Sequence, residues 1–146
     1  MTASIREQIL ERVQVLLVAA ALPGVAVGSV MRSRETAVTR SMTPAIVIMA
    51  GDTETRRIAT NVDRHVFECN VEYFVRGDPW TTLVDPVDVA GHAAIMSDAP
   101  LAALVARIER TGETTESLEA NATAGTLTVH YRCTYLTAAQ DISRAA

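Results

Sequence analysis

The sequence predicts an α+β domain: a mostly antiparallel sheet of about five strands with two helices packed on one face. Three observations predict it. An amphipathic stretch opens the chain, two long stretches alternate between apolar and polar residues, and a second helix-spaced stretch lies between them. The expected order is α-β-β-β-α-β-β. It spans residues 1–146 as one domain, with a mobile loop at about 51–63.

The first helix is expected over about 4–21. Ser4 and Glu7 have the spacing of a capping box, and Ile5, Ile9, Val13, Leu16, Leu17 and Ala20 recur at helical spacing until Pro23-Gly24. Val25–Met31 reads as a strand, and Pro44–Ala50 as a short apolar strand buried on both faces. Gly51–Asp63 is polar and lacks a clear period, so it is expected to be a loop. Arg64–Arg76 is the clearest strand. His65, Phe67, Cys69, Val71, Tyr73 and Val75 share its inner face, and Val66, Glu68, Asn70, Glu72 and Phe74 the other.

Leu83, Val87, Ala90, Gly91, Ala94 and Ile95 keep helical spacing, but Pro86 interrupts them. Gly77-Asp78-Pro79 reads as a turn and helix start, and either the helix begins at Pro86 with Asp85 as N-cap or it kinks there. A loose first turn and a regular helix from about 86 to 97 are expected. A strand is expected over about 104–111, followed by an acidic connection over Glu113–Ala124. Thr126–Leu136 alternates again, with Leu127, Val129, Tyr131, Cys133 and Tyr135 inward and His130 and Arg132 outward. If the two alternating strands are neighbours, Glu68 and Glu72 meet His130 and Arg132 across them.

Strand length bears on partners. Thirteen residues at about 3.3 Å each reach roughly 43 Å. A globule of this length is about 38 Å across. The Arg64–Arg76 strand therefore crosses the domain and is able to project beyond it, where exposed strand edges invite pairing with another chain.

Apolar residues make up 49% of the 146 residues and charged residues 21%, ample for a single core. No apolar run approaches the roughly 18–20 residues of a membrane span, and charges around the first apolar positions speak against an export signal. The net charge is −4, unevenly spread. Arg32–Arg64 holds six arginines against four acids, whereas Gly77–Gly125 holds eight acids against two arginines. Such a bipolar subunit suits head-to-tail contact with copies of itself, although ordinary surface variation gives the same pattern. No dedicated nucleic-acid binding is expected: the Arg56-Arg57 pair has no aromatic residue nearby, and the chain is acidic.

Catalytic signatures are sparse. GxSxG, GxGxxG, the P-loop pattern and lysine itself are all absent. His65, Cys69 and Cys133 are the one conceivable catalytic or metal-binding group, in a small cytosolic enzyme or metal protein. Core packing is the simpler account of both cysteines, which sit in mid-strand. No enzyme, metal or cofactor is expected.

The order of elements nevertheless resembles a known family. Its first half is the amphipathic Arg6-Glu-Gln-Ile-Leu-Glu-Arg12, the Arg32-Ser-Arg34 segment and the Pro44-Ala-Ile-Val-Ile48 strand. Its second half is Asp52, the strand ending Tyr73-Phe-Val-Arg-Gly-Asp78, a helix, and Gly125-Thr-Leu-Thr-Val-His-Tyr-Arg-Cys-Thr-Tyr135. In that order they resemble the tail terminator proteins of long-tailed phages, the minor tail protein U type. Pro86 departs from the family pattern, which allows a continuous second helix.

The resemblance implies a subunit of a ring, typically a hexamer, that caps the head-proximal end of the tail tube. Such a ring stops tube polymerisation and offers a surface for head–tail joining. The implied partners are copies of itself, the tail tube protein and the head–tail connector protein. The implied location is the host cytoplasm during assembly and then the virion tail, with no cofactor and no catalysis. Arg34, Arg40, Arg56 and Arg57 are the candidate interface or lumen residues, each equally readable as a solvated loop arginine. A head–tail joining or tail-completion protein of similar layout is the nearest alternative.

Overall fold

A computed structural model describes residues 2–32, 43–118 and 123–146. Helix α1 is Ile5–Ala19. Ser4 caps its N-terminus as expected, the Glu7 N–H donating to the Ser4 hydroxyl at 3.2 Å, while both oxygens of the Glu7 carboxylate accept from Arg32. Ile5, Ile9, Leu10, Val13, Leu16 and Leu17 bury one face of α1. Two ion pairs tie that helix to distant parts of the chain. Arg32 holds Glu7 at 2.9 and 3.2 Å, and Arg12 holds Asp98 at 2.8 and 2.7 Å.

The strand expected over Val25–Met31 is reduced to a 3-10 turn, Val27–Ser29, and a two-residue strand β1, Val30–Met31. Local hydrogen bonds win here: Val25 N–H donates to Leu22 and Ser29 N–H to Ala26, at 3.1 and 2.9 Å. The short strand runs parallel to β2, Ala45–Ala59, at Ile46 and Val47.

The largest correction concerns the expected loop at 51–63. Its residues as far as Ala59 continue β2, and β3, Val62–Arg76, begins at once after Thr60-Asn61. Asn61 takes a left-handed conformation, φ 65°, that asparagine tolerates better than most residues. The two strands pair from Ala45 opposite Phe74 to Ala59 opposite Val62, with a bulge between Ala50 and Thr53. The arm beyond that bulge is largely exposed along β2, so no buried face imposes a period on its sequence.

Helix α2, Trp80–Ser97, is regular from just after the Gly77-Asp78-Pro79 turn, six residues before Pro86, and not only from about 86. Trp80 is buried and anchors the first turn. Pro86 removes a hydrogen bond to Thr82, but both residues are exposed, so water is able to satisfy the carbonyl. A short helix α3, Ala99–Leu104, follows, capped by Asp98, which accepts the Leu101 N–H at 2.9 Å. The strand expected at 104–111 is instead β4, Arg107–Ser117, which takes in the first part of the expected acidic connection. Strand β5, Ala124–Ala138, outruns its expected bounds, and β6, Asp141–Ala145, folds back on it.

The sheet order is β1-β2-β3-β5-β4, with β6 also paired to β5. All pairings except β1 with β2 are antiparallel. The fold is α+β, with helices against one face of a mostly antiparallel sheet. The main core joins α1 and α2 to Ile46, Ile48, Phe67, Cys69, Val71, Tyr73 and the inner row of β5. A small second cluster of Ala45, Val47 and Phe74 lies on the other face. The apolar start of β2 is thus buried on both sides, as its unbroken run predicts.

Candidate assembly interface

The distal arm of β2 and β3 is the feature that the core does not explain. Glu54, Thr55, Arg56, Arg57, Ile58 and Ala59 are all exposed. Its root is fixed by His65. That ring is buried, at 2.8 Å from the hydroxyls of both Thr55 and Thr137, and it stacks on Tyr135 at 4.7 Å. Burial holds the His65 pKa below its ordinary value, against an opposing pull from Asp63.

Beyond that root the arginines divide. Arg57 is engaged within the arm by Asp63. Arg56 stands directly opposite Arg64 in the β2–β3 register. With Glu54, Thr55 and Val66, these two arginines line a shallow groove. Like charges set opposite one another on a sheet repel. Glu54, on the same face two residues before Arg56, is the acid that lies beside them. Arg56 was legible as a candidate, but Arg64 was missed. Its partnership depends on the tight turn at Thr60-Asn61, and Asn61 followed by Val62 is a weak hairpin signal beside Asn-Gly. Arg34 and Arg40 lie outside the described residues.

The expected neighbours across β3 and β5 do meet. Glu68 is opposite Arg132 and Asn70 opposite His130, while Glu72 faces Thr128. Arg132 is also drawn to Glu109 of β4, at 3.5 Å, and His130 bonds to Asn70 at 2.7 Å and Thr114 at 3.0 Å.

The His65, Cys69 and Cys133 group is not assembled as a reactive site. Cys69 is opposite Tyr131 and Cys133 opposite Phe67, both thiols buried in the core. Burial pushes the Cys133 thiol up to about 12 and that of Cys69 higher still, so both stay protonated. Among the described residues no three or more of His, Cys, Asp and Glu are placed to hold a metal ion. No helix among them is long and apolar enough to cross a membrane.

Arg110 of β4 grips Asp88 of α2 with two hydrogen bonds, 2.8 and 2.9 Å, and so ties an edge strand to the helical layer. No protein-family model matches the chain, and no curated protein matches it either.

Proposed function

We propose that the chain is an assembly subunit of a long phage tail, of the tail terminator kind. It acts by contact rather than catalysis, as a homo-oligomeric ring on the head-proximal end of the tail tube. The ring stops tube growth and meets the head–tail connector. The observation that carries this reading is the exposed arm with its facing Arg56 and Arg64. A long exposed polar ribbon with two arginines set opposite each other is costly in a lone monomer and useful in an assembly. The resemblance of the element order to tail terminators supplies the identity of the partners.

Native mass spectrometry and electron microscopy over a concentration series, with and without the tail tube protein, test the proposal. A closed ring, or a cap on tube ends, is the expected result. A chain that stays monomeric at high concentration and leaves the tubes uncapped overturns it. Binding to the connector without capping the tube points to the tail-completion role instead.

A further inference from the structure

The sheet ends in two unlike edges. On one flank β1 covers β2 only at Ile46 and Val47, so from Ile48 to Ala59 no described strand pairs with that side. On the other flank lies β4, 11 residues long and mostly exposed, paired only with β5 among the described strands. Edges of this length are normally blunted by proline or lysine, and neither stretch contains either residue. The β2 stretch carries two register shifts, between Ala50 and Thr53 and between Arg57 and Ala59, and β4 carries one, between Arg110 and Gly112.

Direction and charge say what fits these edges. The strands alternate, so β2 and β5 run one way and β3 and β4 the other. Copies related by rotation about an axis along the strands keep those directions. The β4 edge of one copy and the β2 edge of the next are then antiparallel. In the β4–β5 register, Arg107, Glu109 and Glu116 lie opposite Thr134, Arg132 and Thr126 and so share their face, the one turned away from the helices. There Glu109 already pairs with Arg107 and Arg132, and Glu116 is the acid left unpaired among the described residues. The same face of the arm carries Arg56 and Arg64, with Glu54 beside them. Pairing like edges about a two-fold axis would use one edge and leave the other open. Pairing unlike edges uses both.

We infer that the edge of β2 left unpaired among the described residues in one copy pairs antiparallel with β4 of the next, so that one sheet runs continuously through the oligomer. Glu116 of β4 and Arg56 of the arm then share one face across the seam. This inference rests on the reading of the chain as a ring-forming subunit, and it names the seam.

Hydrogen exchange read by mass spectrometry on the full-length chain tests it, comparing dilute monomer with concentrated oligomer. Peptides covering 48–59 and 107–117 are both expected to slow at least about tenfold in the oligomer. An oligomer in which neither edge slows, or only one does, overturns the seam while leaving the assembly role standing. Absence of any oligomer, alone or with the tail tube protein, overturns both.

Two proline variants give a second readout. Thr114 and Thr115 are adjacent, so one N–H points at β5 and the other outward. Of Thr114→Pro and Thr115→Pro, the variant that keeps the native circular dichroism is expected to raise the concentration needed for assembly at least about tenfold. A folded variant that assembles like the parent overturns the inference.

Discussion

His65 lies between two threonine hydroxyls and stacks on Tyr135, and its burial disfavours the charged ring. An unfolded chain takes up a proton there near the ordinary value of 6.5, whereas the folded chain resists until lower pH. Stability is therefore lost as pH falls through that window and regained above it. Urea midpoints measured between about pH 7.5 and pH 5 should fall for the parent and fall less for His65→Gln. Glu7 and Asp98 act lower on the scale. Hydrogen bonds from Arg32 and Arg12, respectively, hold their pKa values below 4.5 and 3.8, so their contribution fades only in stronger acid. Gly125 is set by another contact. A Cβ there would lie 2.1 Å from the Trp80 ring, so Gly125→Ala should cost about 1–3 kcal/mol in denaturant unfolding. A loss under about 0.5 kcal/mol would mean that the first turn of α2 shifts freely.

At the scale of elements, the arm and α2 behave differently. Arg56→Glu replaces a cross-strand repulsion with an attraction to Arg64. It should raise monomer stability by about 0.2–1 kcal/mol, seen as a higher urea midpoint, while weakening assembly. Opposite signs in the two measurements separate an interface residue from a merely solvated one. Asp88→Ala should cost about 1–3 kcal/mol, because it leaves Arg110 without its two-pronged partner between α2 and β4.

Legibility in the sequence follows burial. The inner rows of β3 and β5 and the stripe of α1 each press one face into the core, and their periods were readable for that reason. The arm has no buried face beyond its root, so its strands read as a loop. Pro86 hid the first turns of α2, which Trp80 holds in place through a contact with Gly125 that no local pattern encodes. The candidate site was half legible. Arg56 and Arg57 stood out as a pair, but only the register separates them, giving Arg57 to Asp63 and Arg56 to Arg64.

For the molecule as a whole, the order of strands in space differs from their order in the chain. Strand β5 is inserted between β3 and β4 although it follows both in sequence. The β2–β3 hairpin is local and is able to form early. The far flank of β3 then waits for residues up to Ala138. Until they arrive, a growing chain carries a second open edge whose inner row is Phe67, Cys69, Val71 and Tyr73, apolar and shaped for pairing. Non-local pairing of this kind is slow, and nascent chains stalled short of β5 are the species most exposed to mispairing. The hazard of this fold therefore lies during synthesis, in the interval between making its third strand and covering it.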